Sequence, residues 1–550
     1  MKLFTFLILL FFCNRAFSQH IQFNWQSCQY QAGYERDVMS KPSIVSTNDG
    51  YLVLTTVETG YYTPPPEFPI MNIWLFKIDT AGILQWEKYF GSSSGAVQIV
   101  PADLDNYYIF GSTDSSVTSP THLPNGGLWY IKIDGNGNKI WDKVVGSDNM
   151  VLGAGAFCIP TFDNGILSLT NLVGVGGDIT NSFGFWDAWL LKLNAQGTIE
   201  WDFTLGTNGY DIGGLPMQTS DSGYLIPMAS ADGTTGNIIC DPPPQPTINS
   251  RAVVVKLDVN RNIQWQQCLS SSNSLDFKCA IEVADGYIIG GSAYAGDGAA
   301  EGAGYHLGYN NQGEQTADLW LRKIDFDGNL IWQKCYGGSG NDWPLKLIKT
   351  TDGNVVIFGQ TQSRDGDVNG LHADQPYLYP LSEDVWMLKV NGTTGNLLWN
   401  RCIGSVAREF LNNGVLQKDD KNYILAIQTK ASYRDDITCG DPEYEFFAWV
   451  SSITDTTDYE GIHDVEDISH SIKLYPNPAN DFITLEIPYQ YDKQNFQATL
   501  INSEGKIIKT LLLSGARPYF NTANLPSGLY LLRIENQNIK ASMRFIKNKG

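Results

Sequence analysis

The chain has 550 residues, of which 43% are hydrophobic and 17% are charged, so it is expected to fold rather than remain disordered. It is too long for one ordinary hydrophobic core, which indicates several domains or a repeat architecture. It carries 58 acidic against 37 basic residues, a net charge of −21. This sign of charge excludes nucleic acid and anionic membranes as expected partners.

The N-terminal segment is typical of a signal peptide. Lys2 precedes an apolar run over residues 3–12, and Ala16-Phe17-Ser18 supplies the small residues that flank a cleavage site. We therefore expect residues 1–18 to be removed during export. No later stretch reaches the roughly 20 apolar residues that a membrane-spanning helix needs, so no transmembrane segment is predicted.

Residues 19–452 repeat one phrase. Each copy is a run of β-forming residues, a short Asp/Asn/Gly turn and a second run that contains Trp, which is the pattern of a β-hairpin. A short strand, a turn and another strand separate consecutive copies, so a repeat of about 60 residues contains four strands, named a to d in chain order. The six complete copies occupy residues 74–86, 129–141, 189–201, 253–265, 320–332 and 386–399.

The two ends of the repeat region supply a seventh hairpin. Residues 21–25 read as a lone d strand and residues 446–451 as a lone c strand. Pairing these strands would close a ring and remove the exposed edges of an open stack. We therefore predict an all-β fold, a seven-bladed β-propeller followed by a small β-sandwich. A count of six or eight blades would require one repeat to be misread.

The loops between strands b and c are the longest, and they share one face of the predicted propeller with the loops between d and a. Functional surfaces are commonly built from variable loops on a rigid scaffold, so this face is the predicted ligand site. Aromatic residues in its loops, Trp186, Tyr305 and Tyr377 among them, suit stacking on sugar rings.

Acidic residues recur in the d–a loops, ten or eleven positions after the last Trp of a copy. In a propeller they would surround the channel mouth, where clustered carboxylates could bind a ligand or a cation, or act as general acid and base. The alternative is that each one caps its own loop by accepting hydrogen bonds from backbone N–H groups. These residues are Asp211, Asp276, Asp342 and Glu409.

One loop matches the first half of a calcium-binding loop. Asp365, Asp367 and Asn369 place oxygen-bearing side chains at alternate positions, and Gly370 follows them. The bidentate Glu of a complete calcium loop is missing, because Pro376 stands at its position. Calcium is the one candidate cofactor, and an ordinary turn-rich loop is the alternative.

Eight of the nine cysteines lie beyond the signal peptide of an exported protein, where disulfides are allowed. Cys28 and Cys268 lie three residues after the last Trp of their copies, while Cys439 and Cys240 lie in b–c loops. We predict the disulfides Cys28–Cys439, which would fasten the closed ring, and Cys240–Cys268. Unpaired thiols are the alternative.

The C-terminal region has a different character. Residues 453–472 hold six acidic residues and no Lys or Arg, which indicates an acidic linker. Residues 473–550 alternate short strands with tight turns and carry ten basic against five acidic residues, which favours a small β-sandwich. They contain Tyr475-Pro-Asn-Pro, the turn Asn502-Ser-Glu-Gly-Lys506 and the strand Leu525-Pro-Ser-Gly-Leu-Tyr-Leu-Leu-Arg-Ile.

Those motifs resemble the type A C-terminal sorting domain of the Bacteroidota type IX secretion system. The resemblance implies that the secretion machinery is a partner of residues 473–550. It also implies that the protein crosses the periplasm and outer membrane, to be secreted or attached to the cell surface. Residues 19–452 resemble secreted propeller-like repeat proteins of the same bacteria, and more weakly certain polysaccharide-degrading propellers.

Two function classes remain open, besides a purely structural role. The first is an exported binding module that holds a glycan or a surface protein on the long-loop face. The second is a secreted polysaccharide-degrading enzyme, a lyase or hydrolase, that uses the carboxylates of the same face. Binding is favoured, because the sequence contains no recognisable catalytic motif.

Overall fold

The computed structural model describes residues 21–29, 38–61, 69–91, 94–113, 127–147, 151–231, 233, 235–240, 249–372, 383–430, 435–440, 446–456, 466–467, 472–488, 495–503, 506–514, 517–535 and 539–548. The predicted signal peptide and Tyr377 lie outside these residues. The described chain is built from β-strands, with one 3₁₀ turn at Gly298–Ala300. It divides into two compact units, Met1–Thr456 and Thr457–Gly550. None of the helical structure in the described ranges is long and apolar enough to cross a membrane.

The described strands of the first unit form seven antiparallel sheets, which are the blades. In chain order the strands are β1 (Ile21–Gln29), which belongs to blade 7; β2 (Ser43–Ser46), β3 (Gly50–Tyr61), β4 (Pro69–Asp79) and β5 (Leu84–Phe90) in blade 1; β6 (Ser94–Pro101), β7 (Asn106–Thr113), β8 (Gly127–Asp134) and β9 (Lys139–Val145) in blade 2; β10 (Val151–Pro160), β11 (Ile166–Val173), β12 (Asp187–Leu193) and β13 (Ile199–Leu205) in blade 3; β14 (Tyr210–Gly213), β15 (Met217–Gln218), β16 (Tyr224–Ala231), β17 (Arg251–Leu257) and β18 (Ile263–Leu269) in blade 4; β19 (Leu275–Val283), β20 (Gly286–Ala293), β21 (Asp318–Ile324) and β22 (Leu330–Tyr336) in blade 5; β23 (Asp342–Lys349), β24 (Val355–Thr361), β25 (Asp384–Val390) and β26 (Leu397–Ile403) in blade 6; and β27 (Glu409–Phe410), β28 (Val415–Gln417), β29 (Asn422–Thr429) and β30 (Phe447–Asp455) in blade 7.

Each blade is a meander of strands a, b, c and d, in which d is the outer edge. Strand c is buried along its whole length in blades 3 to 6, as its continuous hydrophobic run predicts. Its Trp is enclosed: Trp189, for example, is fully buried, and its indole N–H donates to Asp202 on strand d at 3.0 Å. Strand d is half-exposed, as β13 shows, because it lies at the edge of the sheet and has a neighbouring strand on one side only.

The c–d hairpin of one blade packs against the strand-d Trp of the preceding blade. Gly197 has a φ of +79°, and a Cβ added there would lie 3.0 Å from the Trp141 ring. The glycine is therefore required both for its left-handed backbone and for the space that the indole occupies. The same arrangement joins Gly82 to Trp25, Gly137 to Trp86 and Gly395 to Trp332.

The seven blades form a closed ring. Consecutive sheets contact one another from blade 1 to blade 7, and β2 of blade 1 contacts β28 and β29 of blade 7. The amide of Val38 in blade 1 also donates to the carbonyl of Phe446 in blade 7 at 3.1 Å. Core residues of blades 1 and 7 form one hydrophobic cluster, in which Val53 of blade 1 is buried together with Val450 of blade 7. The first unit therefore folds as a β-propeller.

Blade 7 is completed by the first strand, as predicted. β1 pairs antiparallel with β30, with Ile21 opposite Asp455 and Cys28 opposite Trp449. Both predicted disulfides are confirmed: Cys28–Cys439 has a Cα–Cα distance of 5.8 Å, and Cys240–Cys268 has one of 5.5 Å. The first joins β1 to the b–c loop of blade 7, so it fastens the same closure that the strand pairing makes.

The second unit is a β-sandwich. Its strands are β31 (Glu466–Asp467), β32 (Lys473–Tyr475), β33 (Phe482–Glu486), β34 (Asn495–Asn502), β35 (Ile507–Ser514), β36 (Tyr519–Asn521), β37 (Gly528–Glu535) and β38 (Ile539–Lys547). A five-stranded sheet in the order β31-β38-β37-β34-β35 and a three-stranded sheet in the order β32-β33-β36 share one core, to which Ile483, Phe496 and Phe545 contribute. The two ends of the predicted linker, residues 453–472, are part of the folded units. Strand β30 of the propeller extends to Asp455, and β31 and Ile472 belong to the sandwich.

Candidate functional site

The loops of the propeller lie on two faces. The short a–b turns and c–d hairpins close one end of the blades, whereas the b–c and d–a loops lie at the other end, which we name the long-loop face. Strands a and c begin at this face, and strands b and d end there.

Backbone hydrogen bonds join neighbouring blades at the long-loop face. The amide that opens strand a donates to the carbonyl of the residue just before strand c in the preceding blade. This bond links Asp211 to Trp186 at 2.7 Å, Asp342 to Ala317 at 2.7 Å and Glu409 to Glu383 at 2.9 Å. The face is therefore held rigidly by main-chain contacts between blades.

Three of the four acidic residues singled out in the sequence cap their own d–a loops. Asp211, Asp342 and Glu409 are fully buried, and each carboxylate accepts a hydrogen bond from the backbone amide four residues earlier. Asp276 is partly exposed, accepts from the amide of Ser292 at 2.8 Å and lies 3.7 Å from Lys278. The capping bonds join Asp211 to Thr207 at 2.6 Å, Asp342 to Gly338 at 3.0 Å and Glu409 to Ser405 at 3.2 Å. Asp211, Asp342 and Glu409 therefore adopt the capping role that the sequence left open as the alternative.

Two of these capping residues, Asp342 and Glu409, each have a second buried carboxylate nearby. A Cβ added to Gly337 would lie 3.0 Å from Asp318 and 2.5 Å from Asp342, so both carboxylates lie close to this glycine. Asp384 and Glu409 flank Gly404 in the same way, at 3.2 and 2.5 Å. Each pair joins the start of strand c in one blade to the start of strand a in the next.

Burial in these pairs favours the protonated carboxyl groups. It raises the pKa of Asp318 to about 7 and that of Asp342 to about 6. In the neighbouring pair, burial raises the pKa of Asp384 to about 6, and burial together with the charge of Asp384 raises that of Glu409 to about 8.

In each pair, one carboxylate forms hydrogen bonds with a histidine of the b–c loop. His306 places its amide nitrogen and Nδ1 at 2.8 and 2.9 Å from Asp318, and His372 places the same atoms at 3.0 and 2.7 Å from Asp384. Burial acts to lower the pKa of His372, but the hydrogen bond to Asp384 and neighbouring acidic charges outweigh it, so the net shift is upward. The sequence reasoning missed these histidines, although the same His-to-Asp spacing recurs in both blades.

The predicted aromatic residues have different surroundings. Trp186 is half-buried, and its carbonyl takes part in the bond between blades 3 and 4. Tyr305 lies against the core of blade 5, and its hydroxyl lies 2.7 Å from the carbonyl of Thr316 and 3.2 Å from that of Tyr294. Tyr305 therefore supports its own loop.

An exposed aromatic pair that the sequence reasoning missed lies next to Trp186. The rings of Phe185 and Tyr210 are stacked, with centroids 5.4 Å apart and planes within 7°. Phe185 is 62% exposed and Tyr210 is 47% exposed. Phe185 comes from the b–c loop of blade 3, whereas Tyr210 opens strand β14 of blade 4, so the docking of the two blades brings them together.

The candidate calcium loop bonds to the neighbouring d–a loop. Asp365 accepts from the amide of Ser339 at 2.6 Å, and Asp367 accepts from that of Gly337 at 3.3 Å. The backbone amide of Asn369 donates to Asn400 at 3.2 Å. Across the ranges that the structure describes, no group of three or more His, Cys, Asp or Glu side chains is arranged to hold a metal ion.

A cavity of about 650 Å³ lies along the inner strands of blades 1, 2, 3 and 7. Its lining is mixed: Phe157 and Phe410 are aromatic, Lys41 is basic, and Asn412 and Gln428 are polar. Most of the lining residues belong to strand a or strand b of their blades, so the cavity lies toward the inner strands of these four sheets. Ligand sites are typically concave and combine apolar walls with a few polar groups.

Residues 473–548 match the family model described as a secretion system C-terminal sorting domain. A search of curated proteins finds no significant match. Among solved structures, the chain is similar to a protein of unknown function from Bacteroides caccae, with 9% identity and a TM-score of 0.32, over 64% of this chain and 94% of that one. It is also similar to the Pan2 WD40 domain of Neurospora crassa, with 8% identity and a TM-score of 0.36, over 78% and 95%.

An apocarotenoid oxygenase of Synechocystis is similar at 12% identity and a TM-score of 0.37, over 77% of this chain and 94% of that one. At these values the similarities to solved structures carry no argument about activity. The sorting domain does carry one about destination, because its family directs export by type IX secretion to the cell surface or the medium. The protein is therefore an exported β-propeller whose residues 473–548 are a type IX secretion system C-terminal sorting domain.

Proposed function

We propose that this exported protein binds a glycan on the long-loop face of its propeller, with a sugar ring stacked on Phe185 and Tyr210. The observation that carries the proposal is the exposure of this aromatic pair. Two stacked rings that remain 62% and 47% exposed present an apolar surface that packing within the propeller does not use. Sugar rings have apolar faces that stack on such surfaces.

The loops that carry the two rings are held in place from beneath. Asp187 accepts hydrogen bonds from the Ser182 hydroxyl at 2.6 Å and the Phe183 amide at 2.7 Å, which fixes the turn before Phe185. Asp211 caps the loop that ends at Tyr210. Because both loops are already ordered, binding would cost little conformational entropy.

The experiment is retention of the mature protein on a panel of insoluble and soluble bacterial, algal and plant polysaccharides. The variants are Phe185→Ala and Tyr210→Ala, with Phe162→Ala as the matched control. Phe162 is 66% exposed, but it lies in the a–b turn of blade 3 on the opposite face.

We expect each long-loop variant to weaken binding several-fold, corresponding to about 1 kcal/mol per lost aromatic contact. The control should bind like the wild type. The proposal is overturned if no polysaccharide is retained, or if all three variants bind equally well. The appearance of new reducing or unsaturated ends in the same assay would instead identify the protein as an enzyme.

A further inference from the structure

A second cavity lies at the end of the blades opposite the long-loop face. It has a volume of about 570 Å³ and opens between blades 4 and 5. Its walls are the a–b turn and strands c and d of blade 4, together with the start of strand b and the c–d hairpin of blade 5. We name it the short-loop cavity. It shares no residue with the exposed aromatic pair of the long-loop face.

Three aromatic rings form the apolar walls of the short-loop cavity. The ring centroids of Trp265 and Tyr287 lie 6.4 Å apart with planes at 51°, and those of Tyr287 and Phe326 lie 5.3 Å apart with planes at 89°. The indole N–H of Trp265 donates to the carbonyl of Phe326 at 3.0 Å, which holds the hairpin of blade 5 beside the indole. Phe326 is nevertheless 45% exposed. Rings inclined to one another enclose a space, and the face of an aromatic ring attracts a cation.

The acidic groups of the short-loop cavity are not all used by the protein. Lys256 lines the cavity, and its Nζ lies 2.8 and 3.1 Å from the two carboxylate oxygens of Asp221 and 3.0 Å from the carbonyl of Leu257. These three acceptors match the three N–H groups of the ammonium. Asp327 also lines the cavity, is exposed, and has a carboxylate that forms no hydrogen bond or ion pair within the described residues. This carboxylate is therefore available to a ligand.

A further acidic residue lies at the edge of the short-loop cavity. Ser220 lines the cavity, and its amide donates to Glu282 at 2.8 Å. Burial raises the pKa of the Tyr287 hydroxyl, and the negative charges of Glu282 and Asp221 raise it further. The three rings thus have acidic surroundings, which favour a positively charged ligand.

The junction between blades 3 and 4 places a cation on the corresponding rings. Trp201 and Tyr224 correspond there to Trp265 and Tyr287, and their centroids lie 5.7 Å apart. The guanidinium carbon of Arg261, in the c–d hairpin of blade 4, lies 5.1 Å from the centroid of the Trp201 ring. This repeat therefore holds a guanidinium against the strand-d indole with a side chain of its own.

Blade 5 lacks that side chain. Gly328 stands at the position of Arg261, and the hairpin residues 325–329 include no Lys or Arg. Phe326 stands at the position of Val259, so this junction has a third ring where the preceding one has an aliphatic residue. The short-loop cavity thus combines more aromatic surface with the absence of a hairpin cation.

We propose that the short-loop cavity binds an organic cation, a guanidinium or an alkylammonium group, between Trp265, Phe326 and Asp327. The residues and the face differ from those of the glycan site, so this inference goes beyond the proposed function and does not depend on it. The cation is either a basic side chain of another protein or a small quaternary amine. Both present a positive charge that packs on aromatic rings and pairs with a carboxylate.

The test is a titration of the mature protein followed by saturation-transfer NMR of the added probe. The two cationic probes are Nα-acetylarginine amide and choline. Nα-acetylcitrulline amide is the neutral control, because a urea group replaces the guanidinium in an otherwise similar molecule.

The variants are Phe326→Ala and Asp327→Asn, each with a matched control. Phe162→Ala removes an aromatic ring that is 66% exposed in the a–b turn of blade 3, at the same end of the blades but outside the cavity. Glu314→Gln removes an exposed carboxylate from the b–c loop of blade 5, on the long-loop face.

We expect at least one cationic probe to bind, and Phe326→Ala and Asp327→Asn to weaken its binding about threefold or more. The citrulline probe should bind at least about tenfold more weakly than the arginine probe if the latter binds, the control variants should have no effect, and added salt should weaken binding. Binding of the arginine probe alone would indicate a basic side chain as the source, and binding of choline alone would indicate a quaternary amine. A wild-type measurement guards against misfolded variants: the bound cation should protect Phe326, but not Phe162, from hydroxyl-radical labelling detected by mass spectrometry.

The inference is overturned if neither cation binds, if the citrulline probe binds as well as the arginine probe, or if both cavity variants bind as the wild type does and Phe326 is not protected. Its failure can be separated from that of the glycan proposal. Phe185→Ala and Tyr210→Ala should leave cation binding unchanged. Phe326→Ala should leave the retention of a polysaccharide unchanged.

Discussion

The Nζ atom of Lys256 lies 2.8 Å from Oδ2 of Asp221, and the same pair recurs in six of the seven blades. The lysine side chain on strand c is almost buried, whereas the aspartate in the a–b turn is half-exposed. The other pairs are Lys77–Asp49 at 2.6 Å, Lys132–Asp103 at 2.7 Å, Lys192–Asp163 at 2.8 Å, Lys323–Asp285 at 2.8 Å and Lys389–Asp352 at 3.2 Å.

This asymmetry predicts which partner is more costly to remove. Asp221→Asn leaves a buried ammonium group with the Leu257 carbonyl as its remaining partner, so we expect a loss of about 1 to 2 kcal/mol in the free energy of unfolding. Lys256→Met leaves only a half-exposed carboxylate and should cost about half as much. Denaturant unfolding of both variants measures the difference, and a larger loss for Lys256→Met would contradict the explanation.

The contact between hairpins and indoles gives a second prediction. Gly197→Ala should destabilise the propeller by about 1 kcal/mol for its left-handed backbone and by about 1 kcal/mol or more for contact with Trp141. Gly353→Ala is the control, because Gly353 has the same φ of +79° with nothing within 4 Å of an added Cβ. Equal melting temperatures for the two variants would show that the indole accommodates the methyl group.

The buried carboxyl pairs predict how stability depends on pH. The folded-state pKa values of Asp318 at about 7 and Glu409 at about 8 exceed those of the unfolded chain, near 4. Between about pH 4 and pH 8 the folded state therefore binds more protons than the unfolded state. The free energy of unfolding should fall as pH rises through this window, and the raised pKa of His372 acts in the same direction.

Thermal unfolding at pH 5 and pH 8 measures this effect. We expect a higher melting temperature at pH 5, and a smaller difference in Asp318→Asn, because the amide cannot ionise. Asp49→Asn is the control, since hydrogen bonding to Lys77 and Thr47 lowers the pKa of this exposed residue and its effect is confined to acidic pH. An unchanged pH dependence in Asp318→Asn would exclude Asp318 as a source.

The sorting domain gives a prediction about destination. Deleting residues 457–550 removes the second compact unit and leaves the strands of all seven blades in place. The truncated protein should fold but accumulate in the periplasm, where fractionation and immunoblotting would detect it. Normal arrival at the cell surface or in the medium would show that the domain is not the export signal.

The fold could be predicted from the sequence because its main determinants are local and repeated. The Trp phrase marks each c–d hairpin, and the positions of Cys28 and Cys439 relative to their hairpins were enough to predict their bond. The face of the long loops follows from strand order. Each of these inferences needs only residues of one blade, or the two ends of the chain.

The chemistry of the face could not be predicted in the same way, because it arises between blades. Asp318 meets Asp342, and Phe185 meets Tyr210, only when adjacent blades are docked in register. Whether an acidic residue at the start of strand a turns toward the channel or toward its own loop depends on main-chain geometry. The sequence left both alternatives open at Asp211, and the structure shows the capping one.

The first and last strands of the propeller, β1 and β30, pair with each other in the same blade. If they belonged to two neighbouring blades instead, each of those sheets would be complete without the other strand. Here, loss of the first nine described residues would strip blade 7 of its outer strand and expose the backbone groups of β30. Blade 7 is therefore complete only when β1 and β30 are both present, so a chain that has not been synthesised as far as residue 455 cannot close the ring.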